Sequence, residues 1–149
     1  MAIYAEVTGK SQGKLTGAVT AQGFPSQIEV HSVEFGVGSP MDVHTGLATG
    51  KRVARPLIIT KPMDKSSPLL HTACVTNESV SVVISYTVEG QGHAAYATVT
   101  LTNGMVQDYN QSGHADGTAI ERITFTYQKI EFTWVSGGIT SVDDWAAAT

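Results

Sequence analysis

The sequence predicts a mainly β fold, an antiparallel barrel or sandwich carrying one short helix. Three observations predict it. β-Branched residues dominate, with 16 Val, 18 Thr and 9 Ile against 6 Leu, and such side chains suit a pleated strand better than a helix. Fifteen glycines supply the turns, since glycine enters positive φ without steric cost. Several segments alternate with period two, one has helical spacing, and no strand–helix–strand order recurs.

The elements follow in chain order. Ile3, Ala5 and Val7 alternate with Tyr4, Glu6 and Thr8, an opening strand. A turn-like Gly9–Gly13 segment and a Gly/Thr/Ser-rich stretch lead to Gln27. Residues 28–38 alternate again, but neither face is cleanly apolar, so this strand is expected to meet a partner or a wet interior. Residues 38–52 contain Pro40, Gly46 and Gly50 and show little period. They read as an extended loop, and loops of that length in compact domains are usually functional or disordered. Residues 53–61 form a strand centred on Leu57, Ile58 and Ile59. A helix over about 66–76 is predicted by Ser67 as cap and Pro68 at the first helical position, where a missing N–H costs nothing. Its apolar stripe is Leu69, Leu70, Ala73 and Cys74, and Asn77 stops it. Residues 79–88 and 95–103 alternate as strands, the second ending at an Asn103-Gly104 turn. The last strand spans 120–135. Its inward set changes phase from Ile123, Phe125 and Tyr127 to Ile130, Phe132 and Trp134, which predicts a bulge near Gln128-Lys129.

The 149 residues make one domain, 1–149, long enough for a core without a metal or disulfide staple. A net charge of −4 argues against nonspecific nucleic-acid binding, which needs clustered Lys and Arg. One cysteine, Cys74, excludes an internal disulfide framework and suits a reducing compartment. The N-terminus has neither a basic n-region nor a long apolar run, so no signal peptide is expected, and no stretch reads as a membrane span.

Catalytic and metal-ligating patterns are sought and none is assigned, nor is a cofactor. Gly46 and Gly50-Lys51-Arg52 fall one residue short of a phosphate loop, and Arg52 stands where a magnesium-binding hydroxyl is required. The five histidines, His31, His44, His71, His93 and His114, lack zinc spacing. His71 and Cys74 share a helix face, but two ligands do not make a site; Cys74 reads as core and His71 as its margin. Asp143 and Asp144 are adjacent on an extended chain and point apart, which disfavours paired acid–base work. Charge is nonetheless unevenly placed. Residues 51–65 carry Lys51, Arg52, Arg55, Lys61 and Lys65 against Asp64, a net of +4, so the remainder carries −8. This is either a solvated basic strand face or a patch that meets an acidic surface of another copy.

The run Thr60-Lys61-Pro62-Met63-Asp64-Lys65-Ser66-Ser67-Pro68-Leu69-Leu70 resembles the haemolysin-coregulated protein family, the tube proteins of bacterial type VI secretion systems. His44–Arg52, Tyr96–Asn103, Glu121–Ile130 and Asp143-Asp144-Trp145 resemble family segments in the same order, so the resemblance spans nearly the whole chain. It is weakest at Gly9–Gln27, which is more apolar than the family pattern.

The resemblance implies a β-barrel flanked by one helix, closing into hexameric rings that stack into a hollow tube. It implies sheath, spike and effector proteins as partners, with effectors travelling in the lumen. It places the chain in the bacterial cytoplasm before firing, and outside the cell or in a target cell afterwards. The motif residues Asp64, Lys65, Ser67, Pro68, Leu69 and Leu70 are expected to be structural. The loop residues Pro40, Met41, Val43, His44 and Leu47 are expected to reach an adjacent ring, with Lys51 and Arg52 meeting carboxylates there. The alternatives are a tail-tube protein of a phage or another contractile particle, a monomeric ligand-binding barrel, and an effector enzyme. For the last, the short stretch after Trp145 is read as leaving no room for a toxin domain.

Overall fold

A computed structural model describes residues 2–88 and 94–145; His93 lies outside them. Ten strands and one helix follow in the order β1 Ala2–Gly9, β2 Gly13–Lys14, β3 Ile28–Val30, β4 Ser32–Gly38, β5 Val53–Pro62, α1 Ser67–Val75, β6 Ser79–Thr87, β7 Ala97–Gly113, β8 Ala119–Thr126, β9 Lys129–Trp134 and β10 Ile139–Asp144. Every pairing is antiparallel. The ladder runs β2-β1-β6-β7-β8-β5-β4, with β3 on β1, β9 on β7 and β10 on β9. It is not a closed ladder. The seam is crossed by the chain itself: β3 pairs β1, His31 N donates to Thr60 O at 2.7 Å, and β4 continues along β5. The mixed faces of residues 28–38 have this cause, since one strand serves two neighbours in turn.

The inward faces meet in one core built from Ala5 and Val7 of β1, Leu57 and Ile59 of β5, Val82 and Ile84 of β6, Val99 and Leu101 of β7, and Ile123 and Phe125 of β8. Leu70 and Ala73 dock α1 onto it. The expected stripe is therefore narrower at the surface, with Leu69 and Cys74 half-buried. The helix lies within the expected 66–76, but its cap falls one residue earlier than expected. Ser66 is the N-cap and makes no side-chain capping bond, which puts Ser67 and Pro68 in the first turn. Asn77 ends the helix at φ 54°, where Asn77 N donates to Cys74 O and Glu78 N to Ala73 O, closing a Schellman-type cap. Glu78 then turns back under the β1–β2 turn and accepts from Ser11 N and Gln12 N, both at 2.8 Å. A Cβ on Gly9 would lie 2.0 Å from Glu78 Oε2, so this approach requires glycine.

Three expectations about strands are revised. The Asn103-Gly104 pair is no hairpin: β7 runs straight through it for 17 residues, between β6 and the β8–β9 side. Asn103 takes φ 51°, and a Cβ on Gly104 would sit 2.8 Å from Thr126 O and 3.3 Å from Val80 O. The pair thus marks an irregularity squeezed between two backbones. The expected long strand 120–135 is interrupted at Tyr127-Gln128, as its phase change requires, and both halves pair with β7. The segment after Val135, beyond what was expected to be the last strand, contains β10. Gly137 and Gly138, at φ 85° and 65°, make the tight turn that folds it onto β9.

Candidate functional site

The two segments singled out by sequence lie at opposite ends of β5. The loop 38–52 feeds its first residue, and the Met63–Ser67 run follows its last.

The loop is a tied miniature hairpin. Met41 bridges Ala48, Asp42 N donates to Leu47 O at 2.8 Å, and Thr49 N donates to Pro40 O at 2.9 Å. Asp42 Oδ1 accepts from His44 N at 2.7 Å and Thr45 N at 3.2 Å, while Gly46 turns at φ 72°. With the backbone groups spent inward, apolar side chains are left at the tip: Val43 is 92% and Leu47 68% exposed, and Met41 is exposed beside them. Pro40, His44 and Lys51 are exposed too. Arg52 departs from expectation. Its Nε lies 2.9 Å from both oxygens of Asp143, Nη2 bonds Oδ1, and the guanidinium stacks 4.7 Å from the centroid of the Trp145 ring. The hydrogen bonds between Arg52 and Asp143 raise the one pKa and lower the other. Arg52 therefore anchors the loop root to its own β10 instead of being free for a carboxylate elsewhere.

At the other end, the inward alternation of β5 continues from Leu57 and Ile59 to Lys61, which has no exposed surface. Directly across the ladder stands Glu121 of β8, equally buried, and Lys61 Nζ lies 2.5 Å from its Oε1. Glu121 also accepts from Ser67 Oγ at 2.8 Å, from Gln111 Nε2 at 2.8 Å and from Tyr109 OH. Lys61 donates further to Ser67 Oγ at 3.2 Å and lies 3.3 Å from Asp64 Oδ1. Asp64 in turn accepts from Ser66 N at 2.9 Å, and its own N–H donates to Ser67 Oγ at 3.0 Å. Ser67 is thus a bracket between helix and sheet, while Lys65 and Pro68 face outward.

Burial alone would raise the Glu121 pKa, but the hydrogen bonds from Lys61, Tyr109, Gln111 and Ser67 outweigh it and hold the carboxyl below its ordinary value. Burial first, then the same carboxylate, pushes the Tyr109 hydroxyl up to about 12. The Ser67–Lys61 approach is not a nucleophile–base pair. A lysine ammonium bonded to a carboxylate has no lone pair to take the serine proton. The basic segment read in residues 51–65 is accordingly dispersed, with Lys61 in the core and Arg52 paired.

Sequence reasoning missed Glu121 and the partners of Lys61, although a signal existed: both charges extend inward-facing apolar series. Among the described residues, no three His, Cys, Asp or Glu side chains gather as a metal site, and no helix is long and apolar enough to cross a membrane. His71 lies exposed with its ring edge-on to Tyr109 at 5.7 Å.

An antiparallel sheet with one helix bracketed by a buried ion pair, and a projecting apolar-tipped loop, defines a mainly β protein of antiparallel architecture. The family description "Type VI secretion system effector, Hcp" matches residues 4–134. The chain belongs to that family, the Hcp proteins of type VI secretion systems. It is 34% identical to the "Major exported protein" of Pseudomonas aeruginosa over 95% of this chain and 94% of that protein. Among solved structures it is similar to a mutant of Hcp1 from E. coli EAEC 042, with 28% identity, TM-score 0.86 and coverage of 97% and 99%. The secreted protein Hcp3 of P. aeruginosa is similar at 26% identity and TM-score 0.76, with coverage of 96% and 99%.

Proposed function

We propose that this chain is a structural, non-enzymatic subunit of a type VI secretion tube. Six copies close into a ring, and rings stack into a hollow tube that a contractile sheath expels behind a spike. Effectors ride in its lumen. The subunit is made in the cytoplasm and exported from the cell, using neither cofactor nor nucleic acid. The export of a relative named for it supports this part.

The observation that carries the reading is the β9–β10 hairpin. Trp134, Ile139 and Val142 are exposed on it, and its outer strand pairs with β9 alone among the described strands. An unpaired strand edge bearing apolar side chains is a liability in a free monomer and an asset in an assembly. A contact repeated head to tail closes a ring when its rotation closes. Native mass spectrometry at micromolar concentration tests it: the expected species has six times the 15.7 kDa subunit mass. A sharp monomer across that range overturns the ring.

A further inference from the structure

We propose that Arg52, Asp143 and Trp145 are positioning residues, a latch through which the β9–β10 hairpin sets the pose of loop 38–52, so that a subunit becomes fit to stack when its ring closes. This rests on the reading that rings close at that hairpin and then stack. The loop fixes its own shape but not its direction. Asp42 N donates to Leu47 O, Gly46 N to Asp42 O and Thr49 N to Pro40 O, all within the loop. Its direction is decided at the root, where Gly38 of β4 and Val53 of β5 form the last rung of their ladder. That ladder shifts register between Glu34 and Gly36. A bulge bends and twists its strand, so the ladder alone does not aim the loop.

The missing constraint comes from another part of the fold. Among the described strands no ladder joins β4–β5 to β9–β10. Between them lies a mainly apolar slot of about 190 Å³, lined by Phe35, Val37, Ala54, Ile130 and Phe132, with Asp143 also on its wall. Side chains meet across it: Phe35 stands edge-on to Phe132 at 5.9 Å, and Tyr127 OH donates to Arg55 O at 2.9 Å. Arg52 bridges the same gap. Its Nε lies 2.9 Å from both Asp143 oxygens, its guanidinium covers the Trp145 ring at 4.7 Å, and Trp145 N donates to Gln128 O at 2.9 Å. A forked guanidinium paired with a carboxylate and stacked on an indole fixes angle as well as distance, which an ammonium does not. Arg52 adjoins the loop, whereas Asp143 and Trp145 sit at the end of the hairpin's outer strand. A neighbour seated on Ile139 and Val142 steadies the hairpin, and the latch passes that order to the loop root. Order gained when the ring closes need not be gained again when rings stack, which makes the two steps cooperative.

Hydrogen exchange of segment 38–52 tests it, with native mass spectrometry of the same full-length samples. Asp143→Asn is expected to speed exchange in that segment several-fold and to lower tube formation and export. The six-subunit mass and the urea midpoint are expected to stay at the unmodified values, since a part-exposed pair adds little to stability. Asp143→Glu, which keeps the carboxylate, is expected to restore most of the protection and the export. Ile139 stands four residues from Asp143, roughly 13 Å along β10. Ile139→Asp is expected to open the ring and to loosen the loop as well. In Asp143→Asn protein the same change is expected to loosen the loop no further, because the link is already cut. Unchanged exchange in Asp143→Asn rings overturns the latch, and so does additive loosening by the two changes. Faster exchange with tubes and export at the unmodified level overturns its part in stacking. Ile139→Asp protein that keeps the six-subunit mass overturns the coupling to ring closure, while the Asp143→Asn comparison still decides whether the latch aims the loop. A monomer in the unmodified protein removes the ring reading itself, and the coupling with it.

Discussion

Glu121 collects four donors, Lys61, Ser67, Tyr109 and Gln111, in a place without solvent. Removing one member of such a buried pair strands the other charge, at a cost of about 3–5 kcal/mol. Glu121→Gln is therefore expected to lose stability of that order in urea unfolding. Lys61→Met with Glu121→Leu is expected to lose less than the two single changes together, because no charge remains uncompensated. The pH dependence follows from the lowered Glu121 pKa. Below the ordinary glutamate value of 4.5 the unfolded chain takes up the proton more readily than the folded one. The stabilisation is complete above that value and declines as pH falls toward and through the folded pKa. Glu78 contributes in the same direction, chiefly through the Gln12 N–H. Urea midpoints followed downward from pH 6 are expected to fall, and less steeply in Glu121→Gln.

At the scale of elements, α1 is a short helix held by what it touches. Nine residues are too few to stand alone in water. Leu70 has no exposed surface, while Leu69 keeps some. Leu70→Ala is expected to cost about 2–5 kcal/mol in urea unfolding, as large-to-small core changes do, and Leu69→Ala clearly less. Cys74→Ser is expected to leave assembly and export unchanged, measured by native mass and by secretion assay. The loop is an element in the same sense: its tip is shaped by Asp42, and its root is moored to β10 through Arg52, Asp143 and Trp145.

For the whole molecule, six copies at −4 would give the proposed ring a formal charge of −24, so stacking such rings would need contacts that overcome repulsion. The exposed apolar tip of the loop is the proposed source of such contacts. Leu47→Asp is expected to leave rings whole by native mass spectrometry while abolishing tubes in electron micrographs and export into the medium. If that variant still polymerises and is exported at the unmodified level, the loop is not the stacking contact. Arg52→Glu is a different experiment, since it releases the loop root from Asp143 before any neighbour is involved.

Much was legible locally. Period-two runs located β1 and β6, the apolar centre Leu57-Ile58-Ile59 located β5, and Pro68 and Asn77 bounded the helix, because those signals act over a few residues of backbone. Loop 38–52 was legible as an interruption of period. The Gly137-Gly138 turn was also written in the chain, but the polar residues of β10 hid the strand beyond it. What tertiary structure alone decided were partnerships across distance. Alternation says that Lys61 points inward, not that Glu121, 60 residues on, awaits it. The mooring of Arg52 spans 91 residues and reverses the role its charge suggested. Asn103 adopts the same left-handed backbone in a hairpin turn or in a strand pressed between two others. The neighbours β6 and β8, which no local pattern names, settle which of the two it is.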